Sequence, residues 1–305
     1  KHNIVLDLTF NKMSSIMNNS NLEKIAKLMV APSKGILAAD ESTGTIKKRL
    51  DSISVESNEV NRRNYREMLF TSPEIDKYIS GVILFEETLK QTNNNGKRLA
   101  EILEDKNVIP GIKVDKGTWP CPGFNNYPMT QGLDGLKQRC EEYFELGAKF
   151  TKWRAVYNIS DKYPSELAIK SNAHALARYA ALVQESKMVP IIEPEVLMDG
   201  NHNINKCHEV TSKVLKECYR ELTLHNINLK GTILKPNMIL PGNKSKDKSN
   251  TSEIAKMTLR CLKENVPHEV PGIAFLSGGQ TEIEATKNLD AINKKNKSTF
   301  IMSYS

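Results

Sequence analysis

Eight short apolar runs recur along the chain at intervals of roughly 30 to 45 residues, each followed by a longer stretch with helical periodicity, and this alternation narrows the fold to a parallel α/β protein. The runs are Gly35–Asp40 (GILAAD), Gly81–Phe85 (GVILF), Ile109–Val114 (IPGIKV), Phe150–Val156 (FTKWRAV), Val189–Glu193 (VPIIE), Gly231–Lys235 (GTILK), Gly272–Leu276 (GIAFL) and Thr299–Tyr304 (TFIMSY). Between them, Thr281–Glu284 and Asn250–Glu253 read as capping boxes, and Gly147 reads as the C-cap of a helix over 135–146. Val210, Val214, Cys218 and Leu222 form the i, i+4 stripe that packs a helix on a sheet. Eight strand–helix units fit a single-domain (β/α)8 TIM barrel. A doubly wound sheet would usually carry a glycine-rich nucleotide turn after its first strand, but neither G-x-G-x-x-G nor a Walker sequence is present. The units share no consensus, which excludes a solenoid.

Residues 1–20 are expected to be an N-terminal extension and 21–305 the barrel. Because the sequence stops on or just after the eighth run, the last helix is expected to be missing from this chain, as from a truncated or partly observed protein.

Composition closes off other classes. With 39% hydrophobic and 26% charged residues the chain is a soluble globular protein rather than a disordered or collagenous one. No run reaches the ~18–20 apolar residues of a membrane span, and the N-terminus lacks a secretory pattern, so membrane insertion is not expected and the cytoplasm is the expected compartment. Cys121, Cys140, Cys207, Cys218 and Cys261 are scattered and odd in number, which suits reduced packing residues. The net charge of +7 is spread along the chain, suiting anionic small molecules or acidic protein surfaces and giving no argument for nucleic acid.

Parallel strands buried on both faces should be apolar throughout, so charges at their C-terminal ends need a reason. Asp40 and Glu41 end the first run, Lys113 and Asp115 the third; Lys152 and Arg154 lie in the fourth, Glu193 and Glu195 at the fifth, and Lys235 ends the sixth. The i, i+2 spacing puts each later pair on one face, where they could fill the barrel as ion pairs or converge as a catalytic cluster. Contributions from five strands at one end favour the cluster, since active sites of this fold sit there.

None of the six histidines falls in these strand-end runs, and the common ligand spacings are absent, so no zinc or iron site is expected. Ser277-Gly278-Gly279 can form an anion nest where this fold usually binds phosphate. Lys235 is either a paired structural cation or an amine made nucleophilic by burial and by Lys113 and Lys152 nearby; Pro236 holds its backbone extended. The residues alone point to a Schiff-base enzyme acting on an anionic carbonyl compound.

From about Asn21 to Ser305 the chain resembles the class I fructose-1,6-bisphosphate aldolases of glycolysis. The segments that carry the resemblance are KGILAADESTGTIKKRL (Lys34–Leu50), NRRNYREMLF (Asn61–Phe70), GVILFEETL (Gly81–Leu89), GIKVDKG (Gly111–Gly117), TQGLDGL (Thr130–Leu136), KWR (Lys152–Arg154), PIIEPEVLMDG (Pro190–Gly200), GTILKPNM (Gly231–Met238) and FLSGGQ (Phe275–Gln280). The resemblance implies a (β/α)8 fold, no metal or other cofactor, a homotetramer, and reversible cleavage of fructose 1,6-bisphosphate to dihydroxyacetone phosphate and glyceraldehyde 3-phosphate.

Residue by residue, it implies that Lys235 forms the imine, Glu193 is its general acid and base, and Glu195 assists. Asp40 would deprotonate the C4 hydroxyl, Lys152 stabilise charge there, and Lys113 orient substrate and keep Asp40 ionised. One phosphate is expected at Ser277, Gly278, Gly279 and Ser303. The other, or an alternative binding mode, would lie near Ser42, Thr45, Arg49 and Lys113. Arg62 and Arg154 are either further phosphate ligands or partners of carboxylates.

Two features depart from the family: Ser305 stands where Gly-Arg normally follows Ser303-Tyr304, and the C-terminal tail with its terminal tyrosine is missing, so a chain ending here is expected to be weakly active or unstable. A Schiff-base aldolase for another sugar phosphate is the alternative within the chemistry. A scaffold that binds actin filaments or acidic cytoplasmic tails of adhesins is the alternative outside it.

Overall fold

The structure, a computed structural model, describes residues 18–162 and 164–305. All of the expected extension except 18–20 lies outside the described residues.

Residues 18–29 form α1. There follow β1 (Gly35–Ala39), α2 (Thr43–Asp51), α3 (Glu59–Phe70), α4 (Ile75–Tyr78), β2 (Ile79–Leu84), α5 (Glu86–Lys90), α6 (Leu99–Asp105) and β3 (Ile109–Lys113). A hairpin of β4 (Thr118–Cys121) and β5 (Phe124–Thr130) leads to α7 (Leu136–Glu145), β6 (Phe150–Tyr157), α8 (Glu166–Glu185), β7 (Val189–Val196) and α9 (Ile204–Leu224). The remaining elements are β8 (Ile233–Leu234), α10 (Thr251–Asn265), β9 (Gly272–Phe275), α11 (Glu282–Lys295) and β10 (Ile301–Tyr304).

Eight strands form one parallel sheet in the order β1-β2-β3-β6-β7-β8-β9-β10, so each of the eight apolar runs supplies one strand. Its two edges meet: the Tyr304 ring occupies the place a Cβ on Gly35 would need, 2.3 Å away, and Ser303 Oγ donates to the Lys34 carbonyl at 2.5 Å. The result is a nearly closed (β/α)8 barrel.

Two-residue periodicity divides each strand between an inner and an outer face. Ile36, Ile83, Phe150, Val189, Ile191, Ile233 and Ala274 fill the lower half of the barrel, and Leu22, Ala26 and Met29 of α1 with Val30 seal it from beneath. Gly81 and Gly111 carry no side chain because the Phe150 ring occupies the space: a Cβ on Gly111 would stand 2.3 Å from it. The outer faces, with Trp153, Ile192 and Leu234, pack against the helices in a second, larger core.

Helix ends follow the local signals except that the expected capping box at Asn250 forms only in its first half, without the return bond from the Glu253 side chain. Thr281 and Glu284 close a reciprocal capping box at the start of α11, while at α10 Asn250 accepts from the Glu253 amide. Gly147, at φ 105°, turns the chain after α7, and the stripe on α9 is buried throughout. The five cysteines are free. No helix among the described residues is long and apolar enough to cross a membrane.

Candidate functional site

Beyond the apolar plug the inward positions change character within two residues. On β6 the next inward residue after Phe150 is Lys152 and then Arg154; on β7 Ile191 gives way to Glu193 and Glu195; Lys235 follows Ile233 at the end of β8. Pro236 removes a donor at that point, and the Lys235 amide still donates to the Ile192 carbonyl at 2.8 Å, which holds the lysine in strand geometry.

These groups form one chain of charges. Lys235 Nζ lies 3.3 Å from Glu193 Oε1, Glu193 Oε2 lies 3.4 Å from Lys152 Nζ, and Lys152 Nζ lies 2.7 Å from Asp40 Oδ2. All four side chains are at least largely buried, so the attractions act in a medium far less polar than water. Burial alone would raise the Asp40 carboxyl pKa, but Lys152, Lys235 and Lys113 together hold it below the ordinary carboxylate value. Burial likewise opposes charge on Lys152, and Glu193 and Asp40 outweigh it, leaving the ammonium well above its ordinary pKa. Glu193 Oε2 is buried and accepts no hydrogen bond from the described residues, which leaves it open to a proton from a ligand or water.

A cavity of about 730 Å³ opens onto the Asp40–Lys152 end of this cluster, with Asp40, Ser42, Thr45, Arg49, Lys113, Lys152 and Arg154 in its wall, while Glu193, Glu195, Lys235 and the Ser277–Gly279 loop lie outside that lining. Ser42 is the N-cap of α2, whose first turn carries no acidic residue, so the helix N-terminus presents positive potential beside the Asp40 and Glu41 carboxylates. Arg49 pairs with Glu41. Lys113 is pinned by Asp115 through both Oδ1 and the main-chain carbonyl at 2.7 Å.

The Ser277–Gly279 loop leaves the end of β9 and packs on the end of β7. A Cβ on Gly278 would stand 3.0 Å from Glu195 Oε1, one on Gly279 would stand 2.5 Å from Met198 Cβ, and Gly279 itself has φ 78°. Glycine is thus required here for close approach as well as for conformation.

Three phosphate candidates are engaged with protein. Arg62, on α3, makes a two-pronged pair with Glu87 of α5, at 2.9 and 2.6 Å, and lies outside the cavity wall. Arg154 lines the cavity but donates through Nε to Glu195 Oε2 at 2.5 Å. The Ser303 hydroxyl is held by Lys34 in the barrel seam.

The structure adds residues to which the sequence had assigned no role. Asp115, marked only by its i+2 spacing from Lys113, orients that lysine, and its Oδ2 accepts from the Arg154 amide at 3.3 Å. Arg66 of α3 is fully buried behind the cavity wall, donates to the Glu41 carbonyl at 2.7 Å and lies over the Phe85 ring. Burial pulls its guanidinium below its ordinary pKa, partly offset by Glu41 and Glu87. Nothing in the linear order of NRRNYREMLF distinguishes this arginine from its neighbours. Arg139 of α7 also reaches the cavity, and its only signal was a position inside an amphipathic helix.

A buried amine beside a carboxylate, a second carboxylate held ionised by a lysine, and a helix N-terminus and a glycine loop of the kind that suits anions make an arrangement compatible with imine chemistry on a phosphorylated carbonyl compound. Residues 21–305 match the family described as fructose-bisphosphate aldolase class-I. Over 299 residues, 98% of this chain and 76% of its relative, the sequence is 52% identical to the cytosolic fructose-bisphosphate aldolase 4 of Arabidopsis thaliana. It is 52% identical to fructose-bisphosphate aldolase C-B of Danio rerio over 89% of this chain and 75% of that one. Among solved structures, fructose-bisphosphate aldolase from Plasmodium falciparum, in ternary complex with TRAP and a small-molecule inhibitor, superposes with a TM-score of 0.93 at 45% identity, covering 94% of this chain and 84% of that one.

Proposed function

The chain belongs to the class I fructose-bisphosphate aldolases, and from that premise we infer that it cleaves fructose 1,6-bisphosphate reversibly to dihydroxyacetone phosphate and glyceraldehyde 3-phosphate through an imine on Lys235. The observation that carries this assignment is the unbroken run of contacts from Lys235 through Glu193 and Lys152 to Asp40.

In this reading Lys235 Nζ attacks the C2 carbonyl of the ketose, and Glu193, within 3.3 Å of that nitrogen, delivers the proton with which water departs. Asp40 takes the proton of the C4 hydroxyl while Lys152, at 2.7 Å, offsets the charge that develops on that oxygen. The C3–C4 bond breaks, its electron pair moves into the protonated imine, and the aldehyde leaves. The enamine gains a proton at C3, and water activated by Glu193 hydrolyses the imine to release the ketone product and regenerate Lys235. Glu195 supports this step from the next inward position of β7. One phosphate is assigned to the Ser277–Gly279 loop with Ser303 on the adjoining strand. The other is assigned to the wall formed by Ser42, Thr45, Arg49 and Lys113, with Arg154 at its edge.

Borohydride reduction in the presence of dihydroxyacetone phosphate, followed by peptide mapping, tests the assignment. The expected result is an adduct on Lys235, insensitive to chelator and lost in Lys235→Met. Folded, ligand-bound protein that yields no adduct would rule out imine catalysis by this chain.

Family members are typically oligomeric; a homotetramer is the assembly we assign, and light scattering at working concentration checks it. The cytosol is the assigned compartment, as for the plant relatives so named. A second reading, in which the chain also binds actin or acidic adhesin tails, rests on the net charge of +7 and on the Plasmodium falciparum relative having been solved with TRAP. Displacement of an acidic peptide by fructose 1,6-bisphosphate would support overlap with the catalytic cavity, and independent binding would count against it.

A further inference from the structure

We propose that His174, Glu221 and His225 form a binding site for a divalent transition-metal ion of the zinc type, set in the outer helical layer and separate from the cleavage site. Glu221 and His225 are four residues apart, on one face of the end of α9, and α8 packs alongside to bring His174 opposite them. Glu221 Oε2 lies 3.0 Å from His174 Nδ1 and 3.8 Å from His225 Nδ1, and one ligand atom from each of the three residues falls within 4.8 Å of the others. The two imidazole centres are 5.1 Å apart with 64° between their planes. Zinc binds imidazole nitrogen and carboxylate oxygen at about 2.0–2.2 Å, which sets the ligand atoms of a tetrahedral ion about 3.4 Å apart, so the His174–Glu221 hydrogen bond at 3.0 Å must open slightly and the His225 ring must come closer, changes within reach of side-chain rotation.

The chemistry of the cluster favours a cation over a simple ion pair. One histidine is enough to pair with Glu221, and a second ring beside the same carboxylate is more than an ion pair needs. His225 Nδ1 donates to the Glu221 main-chain carbonyl at 2.9 Å, so an ion would take the lone pair of its other ring nitrogen or draw the ring away from that contact; the two rings together can then offer two lone pairs to one ion. Arg220 Nη2 already holds Glu221 Oε1 at 2.5 Å, which orients the carboxylate and leaves Oε2 facing the imidazoles, the role an outer-shell partner plays in metal sites. Two nitrogens and one carboxylate oxygen suit zinc better than magnesium or calcium, which prefer oxygen, or copper(I), which prefers sulfur. A water would complete the coordination.

The site's position in the fold separates it from the cavity. α9 starts after β7 and ends before β8, so its final turn, and His225 after it, lie toward the opposite end of the barrel from the strand C-termini. An ion there would tie α8 to α9 and stabilise the native chain by mass action without touching Lys235. The sequence could not reveal it, because His174 and Glu221 are 47 positions apart.

Equilibrium dialysis of the untagged, metal-stripped chain against zinc, paired with thermal unfolding, tests this site. The expected result is one zinc per chain with a raised Tm, no displacement by magnesium, and binding weakened by about tenfold or more in both His174→Ala and His225→Gln. His174 has a side chain 53% exposed, so its truncation tests the ligand without disturbing the core. Zinc-free cleavage activity should be the same in parent and variants. Zinc that binds the His174→Ala/His225→Gln double variant as tightly as the parent, as it would at a thiol such as Cys121, overturns the proposal, and so does a lack of saturable binding by the parent.

Discussion

The two halves of the barrel interior are built by the same strands and have opposite characters. Below, Phe150, Val189, Ile191 and Ile233 form a dry plug closed by α1; one step further along the same inward faces, Lys152, Glu193 and Lys235 carry charge. Successive inward residues on a strand are about 6.6 Å apart, so the change occurs over a single side-chain layer. The plug excludes water from beneath the charges, and that low-dielectric floor lets Lys152 hold Asp40 ionised despite its burial. The plug would support the fold and the charged layer the chemistry, with little overlap in residues.

Substitutions can break that division or sharpen it. The largest effect is expected at Asp40: Asp40→Asn keeps a polar partner for Lys152 but removes the proposed base, and kcat should fall by about 10²- to 10⁴-fold in steady-state cleavage assays. Phe150→Ala empties the plug and should cost about 3–5 kcal/mol in denaturant unfolding, with kcat nearly unchanged while the chain stays folded. A large loss of kcat in the folded Phe150 variant would show that the halves are coupled.

Lys152→Met addresses the electrostatic link between them. The folded Asp40 carboxyl lies below its ordinary value of 3.8, so its stabilising contribution is complete above that value and is lost only as pH falls through the lower folded pKa. Removing the nearest cation leaves Lys235 and Lys113 to oppose desolvation, and the Asp40 pKa should rise, read by NMR titration of labelled aspartate. The smallest effect belongs outside both halves: Thr281→Ala opens the capping box of α11 and should cost about 1 kcal/mol, read as a lower denaturation midpoint.

Much of this architecture was legible in the linear order. Each β-rich run became a barrel strand, and i, i+2 spacing set Lys152 with Arg154 and Glu193 with Glu195 on inward faces. The β4–β5 hairpin is not legible in the linear order, since Pro120, Pro122 and Pro128 argue against a strand. Such residues are tolerated here because the hairpin is a separate two-stranded ribbon rather than part of the barrel wall, and Gly123, at φ 81°, makes its turn.

What the sequence determined by itself was whatever depends on local spacing: strand and helix periodicity, the capping box at Thr281, the turn at Gly147, and which charged residues share a face. Tertiary structure alone decided which charges meet across strands. It joined Lys235 to Glu193 and Lys152 to Asp40, assigned Arg62 to Glu87 and Arg154 to Glu195, buried Arg66, and brought His174 to Glu221. The physical reason is that backbone periodicity fixes the direction of a side chain, whereas the partner of a buried charge is chosen by the register and closure of the whole barrel, to which segments far apart in sequence contribute together.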